Sequence, residues 1–77
     1  MTKQKWLDDF AYNLFEMMNY TNTSQAELSR LTGLSRQNII RFLSGSAVPS
    51  MIAIINISKV LDCEIDELVK LDEIIEL

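Results

Sequence analysis

Histidine is absent from this sequence, and cysteine and proline occur once each. Without a histidine or a cysteine cluster, a transition-metal site has no obvious ligands, so neither a metal nor a cofactor is expected. The solitary Cys63 has no partner for an internal disulfide, which suits a reducing cytosol. Its setting reads as a small buried hydrophobe near a helix end rather than a reactive thiol. No nucleophile is accompanied by a base and an orienting group, so an enzyme has little to be built from. No apolar run reaches bilayer-spanning length and no signal-peptide pattern precedes the first helical stretch, so a cytoplasmic chain with no membrane contact is expected. Only two glycines interrupt a composition that is 48% hydrophobic. That combination argues against disorder and for a compact, mostly helical unit. A chain of 77 residues makes one domain, taken as residues 1–77.

The formal net charge of −4 is unevenly distributed. Residues 23–50 carry Arg30, Arg36 and Arg41 against Glu27 alone. Residues 51–77 carry Lys59 and Lys70 against Asp62, Glu64, Asp66, Glu67, Asp72, Glu73 and Glu76. The acid is concentrated in the tail, and the middle of the chain is locally basic. Local potential decides where a polyanion docks, while net charge mainly sets long-range steering. Weak non-specific DNA binding is therefore expected, because that component comes from phosphate neutralisation.

The basic middle, Gln25 to Ser44, holds two short helical patterns separated by Thr32-Gly33-Leu34-Ser35. Leu28 and Leu31 repeat at i, i+3 on the first, and Ile39, Phe42 and Leu43 at i, i+3, i+4 on the second. Gly33 can take a positive φ and end the first helix. Ser24, with Glu27 three residues on, has the spacing of a capping box for that helix, which places Gln25 at its start. Ser35 is a good N-cap for the second helix. Two short helices joined by a glycine-containing turn form a helix-turn-helix.

With Gln25 opening the first helix, small Ser29 after Leu28, Gly33 and Leu34 in the turn, Ile39 and Phe42 anchoring the second, and a Ser44-Gly-Ser-Ala-Val-Pro-Ser50 loop, the chain resembles the phage repressor/Cro-like (XRE-type) helix-turn-helix family. The resemblance covers roughly Leu7 to Val69 and implies an all-α, compact five-helix, lambda-repressor-like DNA-binding domain with the helix-turn-helix at helices 2 and 3. It further implies a sequence-specific transcriptional regulator of double-stranded DNA, with helix 36–44 in the major groove. Arg36, Gln37 and Arg41 then contact bases, Asn38 lies nearer the phosphates, and Gln25 reaches a phosphate at its helix N-terminus. The chemistry fits, since Arg pairs bidentately with guanine and Gln with adenine. Arg36, Gln37, Ile40, Arg41 and Ser44 share one outward helical face. Ile40 is either a contact to a thymine methyl or a scattered surface apolar residue. Many relatives carry Lys or Arg in the following loop. Here backbone N–H groups and the Ser46 and Ser50 hydroxyls replace part of that grip, so modest affinity is expected, and Ser35 and Ser44 complete the candidate DNA-binding set.

The flanking segments set further expectations. Trp6, Leu7, Phe10, Ala11, Leu14, Phe15, Met17 and Met18 give a broad apolar face to a first helix from about Lys3 to Asn19. Trp6 lies so near the end that a ring left partly open, available to a partner, is anticipated. The fourth helix, starting near Ser50, is apolar almost all round, which suggests burial of Ile52 against a second copy. In the tail, Ile65, Leu68 and Val69 read as core. Leu71, Ile74, Ile75 and Leu77 are candidate contacts of a homodimer or, equally, dock on their own chain. An alternative function is an acidic protein-interaction module on the same fold, binding a protein partner such as a toxin or host machinery.

Overall fold

The computed structural model describes residues 2–69. Leu71, Ile74, Ile75 and Leu77 lie outside the described residues. Within them the chain forms five helices: α1 (Lys3–Thr21), α2 (Gln25–Thr32), α3 (Arg36–Leu43), α4 (Met51–Leu61) and α5 (Ile65–Leu68). The all-helical expectation holds, and α1 is the element on which the others assemble. It packs against α3, α4 and α5, while α2 packs against α3 and α4.

The length of α1 follows from its caps. The Thr2 hydroxyl accepts from the Lys5 N–H at 3.1 Å. Asn22 closes the far end at φ 55°, a left-handed conformation that Asn tolerates better than most residues. The Thr21 hydroxyl donates to the Met17 carbonyl at 2.8 Å. These contacts carry the helix beyond Asn19, the end expected from the apolar spacing. One face buries Trp6, Leu7, Phe10, Ala11, Leu14 and Met18. Phe10 is stacked on Trp6 at 6.1 Å and meets Phe42 of α3 edge-on at 5.7 Å. Around these rings Leu14, Leu28, Ile39 and Ile57 are fully enclosed.

Two expectations for α1 are corrected. Trp6 is only 5% exposed, because the Thr2 cap holds the first turn and the ring stacks inward on Phe10. Phe15 is 53% exposed. At about 100° per residue it falls on the rim of the stripe defined by Phe10, Leu14 and Met18, so spacing alone overstated the width of that face. Leu31, three residues on from buried Leu28 in the apolar pattern of α2, is likewise exposed.

Helix α4 starts where expected, with the Ser50 hydroxyl accepting from Ala53 N–H at 3.0 Å. Ala53, Ile54, Ile57 and Leu61 are buried, Ile55 and Val60 are half-buried, and Met51 and Ile52 stay exposed. Its hydrophobic circumference is thus covered on one side and open at its N-terminal end. Asn13 of α1 donates to the Leu68 carbonyl at 3.0 Å and fastens α5, whose Leu68 and Val69 are buried and Ile65 half-buried. No helix among the described residues is long and apolar enough to cross a membrane.

Cys63 is a free, half-buried thiol just after α4. Burial pushes its pKa up, and the carboxylates of Glu67, Asp62 and Glu64 push it further the same way. A raised pKa leaves less thiolate at neutral pH. Iodoacetamide should therefore alkylate folded Cys63 more slowly than an unstructured peptide thiol, with the rate rising only at higher pH. Equal rates at pH 7–8 would contradict this environment.

Candidate nucleic-acid interface

The geometry of the interface is set by the turn between α2 and α3. Ser24 caps α2 reciprocally: its hydroxyl accepts from Glu27 N–H at 3.1 Å, and its own N–H donates to the Glu27 carboxylate at 3.2 Å. Gly33 ends the helix at φ 79°, with open space where a side chain would project, so it is the backbone angle that calls for glycine. Its N–H donates to the Ser29 carbonyl at 2.9 Å. Ser35 then opens α3 by accepting from Asn38 N–H at 3.1 Å.

Side chains brace this turn from inside. The Ser29 hydroxyl donates to the Leu34 carbonyl at 2.6 Å, across the turn. The Thr32 hydroxyl donates to the Leu28 carbonyl at 2.6 Å and accepts from Leu34 N–H at 3.2 Å. Small size is thus only part of what Ser29 contributes. The signal for its second role was present in a hydroxyl five residues before a turn carbonyl that no helical N–H can reach.

On α3, Ile39 and Phe42 point into the core and Leu43 is half-buried. Ser35, Arg36, Gln37, Asn38, Ile40, Arg41 and Ser44 are exposed. The helical repeat places residues 36, 37, 40, 41 and 44 on the side opposite Ile39 and Phe42. Gln25, at the first position of α2, is half-buried, and Ser46 beyond α3 is exposed. Among the described residues, Arg30, Arg36 and Arg41 make no ion pair, whereas Lys5 pairs with Asp9 on α1 at 3.0 Å. The three guanidinium groups are thus uncommitted.

The serines after α3 are committed differently. Ser44 Oγ donates to the Arg41 carbonyl at 3.0 Å and lies 2.7 Å from Ser46 Oγ, which also approaches that carbonyl at 3.3 Å. The two hydroxyls close the C-terminal end of α3. The 2.7 Å contact between the hydroxyls takes one of their two protons, and the Arg41 carbonyl, which also accepts the Ser46 N–H at 3.0 Å, can release the other to turn outward. Residues 44–50 carry no Lys or Arg, so this end of the face has a hydroxyl donor but little charge beyond Arg41.

A family model described as helix-turn-helix matches residues 21–68. Among solved structures, the chain is similar to the crystal structure of the restriction-modification controller protein C.AhdI from Aeromonas hydrophila. The two are 31% identical with a TM-score of 0.77, over 80% of this chain and 94% of that one. The curated proteins compared with the chain give no match.

Replacing Ser29 with Ala keeps the close helix crossing but leaves the partly buried Leu34 carbonyl without its donor. We expect a loss of about 1 kcal/mol in unfolding free energy, measurable by urea denaturation. An unchanged midpoint would show that the bond adds nothing.

Proposed function

The chain belongs to the helix-turn-helix family of DNA-binding transcriptional regulators, and from that premise we propose that it reads double-stranded DNA sequence-specifically with α3 in the major groove. The observation that carries this reading is the exposed set Arg36, Gln37 and Arg41 on one face of α3, free of ion pairs among the described residues and held outward by buried Ile39 and Phe42. Arg36 and Arg41 suit guanine edges, Gln37 suits adenine, and half-exposed Ile40 suits a thymine methyl. Asn38 and Ser35 at the start of α3, Gln25 at the start of α2, and Ser44 and Ser46 beyond α3 are assigned to the phosphates. The free N–H groups of the first turn of α2 add to the Gln25 contact.

The active species is proposed to be a homodimer acting on DNA in the cytoplasm, with half-sites about one helical turn, roughly 34 Å, apart. Support comes from Val48, Met51 and Ile52, which leave an exposed apolar patch where α4 begins. Ile52 is the proposed interface residue there, joined by Leu71, Ile74, Ile75 and Leu77 of the tail. Occupation of a promoter is the proposed regulatory act, and no catalytic step is assigned.

A second reading, a protein-interaction module, draws on the exposed rings of Tyr12, Phe15 and Tyr20 on α1 and on the exposed carboxylates Asp62, Glu64, Asp66 and Glu67. It requires that no duplex bind even at low salt.

Selection of bound duplexes from a random pool, followed by gel shifts over a salt series, tests the proposal. Tight binding whose salt slope reports several phosphates, about 0.9 each, supports a DNA regulator. Arg41→Ala should cost about 1–3 kcal/mol and relax base preference at one position. Equal loss on every sequence would make Arg41 a phosphate contact. Gln25→Ala should weaken all sites alike, and a changed preference would contradict its assignment.

A further inference from the structure

Two side chains of α1 reach across the fold to a distant backbone carbonyl. Asn13 holds Leu68 of α5. The other, Gln4, holds the end of the proposed reading helix: its amide Nε2 donates to the Gly45 carbonyl at 3.2 Å and to Asp8 Oδ1, one turn along α1, at 2.9 Å. Gly45 sits tightly against this pair. It takes φ 71°, and a Cβ built on it would stand 2.9 Å from Asp8 Oδ1 and 3.6 Å from Gln4 Nε2. The first two turns of α1 and the loop after α3 are therefore in direct contact, and a carboxylate lies in the contact. Asp8 has no cationic partner among the described residues.

The dimensions of α3 give this contact a bearing on DNA. Eight residues span about 12 Å, close to the width of the major groove. A helix of that length across the groove brings both of its ends to phosphate rows. One end carries Ser35 beside the start of α2. The other carries Ser44 to Ser46, where the N–H groups of Ser44, Gly45 and Ser46 already donate to the Ile40, Phe42 and Arg41 carbonyls. What remains there for a phosphate is one outward-turning serine proton and the charge of Arg41. Whether these meet the phosphate depends on where the loop backbone is held, and the Asp8 carboxylate lies against Gly45, between the two serines in sequence.

We propose that Gln4 is a positioning residue for DNA binding, fixing the phosphate-facing end of α3, and that Asp8 beside it acts as an electrostatic brake on the same contact. The inference rests on the DNA-reading function proposed above. It assigns opposite signs to two neighbouring residues of α1, neither of which touches a base. Gln4 strengthens binding through the loop it holds. Asp8 both accepts from Gln4, which helps, and repels phosphate, which opposes.

The test is a gel-shift salt series with the full chain and three proteins: wild type, Gln4→Ala and Asp8→Asn. Asn keeps an oxygen for the Gln4 amide and removes the charge. Gln4→Ala should lower affinity about three- to tenfold on every duplex, with a shallower salt slope and unchanged base preference. Asp8→Asn should raise affinity about two- to fivefold at low salt, with the gain shrinking as salt rises. Thermal melting run in parallel separates positioning from unfolding. A loss for Gln4→Ala that follows the unfolded fraction, with the wild-type salt slope, overturns the positioning role. Variants that bind as the wild type does, or a Gln4→Ala change in base preference, overturn the inference while leaving the DNA-reading function intact. A wild-type chain that binds no duplex overturns both.

Discussion

Eight residues are too few to hold a helix in water, where isolated helices shorter than about 12–15 residues are marginal. Helix α3 is that short, yet its outward side chains are the proposed instrument of recognition. The whole structure answers this constraint. Ile39 and Phe42 are buried against the remainder of the fold, with Phe42 edge-on to Phe10 of α1. A buried Phe contributes about 1.5–3 kcal/mol through removal of its surface from water. The packed inner face and the Ser35 cap fix the helix, so the outer face is free to carry charge and amide groups that no core could hold.

The same division governs the electrostatics. The chain is acidic overall, at −4, but seven of its eleven carboxylates lie in residues 51–77, apart in sequence from the guanidinium groups. Asp62, Glu64, Asp66 and Glu67 follow one another at the junction of α4 and α5, where burial and then the charges of Glu67, Asp62 and Glu64 push the Cys63 thiol up. The arginines of α2 and α3 lie outside that cluster in sequence. A protein charge attracts or repels a phosphate mainly within a Debye length of about 8–10 Å. A polyanion docking on α3 thus responds first to Arg36 and Arg41, and a negative total does not forbid it.

Much of the helix framework was legible in the sequence because caps and turns are local chemistry. Ser24 with Glu27, Gly33, Ser35 and Ser50 each perform the terminal role their residue types suggest. Burial was less legible, because it depends on what lies opposite. Phe15 and Leu31 have helical spacing suited to a core and are exposed, since neighbouring helices do not extend over them. Trp6, near a chain end, is enclosed because the stacked Phe10 ring and the Thr2 cap secure the first turn. The exposed α3 face could be read from periodicity, whereas the contacts of Ser29 with Leu34 and Gln4 with Gly45 could not. Those bonds join groups whose proximity exists only after the chain has turned, and polar residues in their positions look solvated until then.

The enclosure of Trp6 has a spectroscopic consequence. Its indole N–H is buried and has no hydrogen-bond partner among the described residues, and Trp6 is the only tryptophan. The excited state of an indole shifts its emission to the red when water can reorient around it, and this ring is screened from such relaxation. Native emission should lie well to the blue of that of the unfolded chain. The protein carries an intrinsic optical gauge at the aromatic junction of its longest helix, one that reads the integrity of the scaffold without a dye or label.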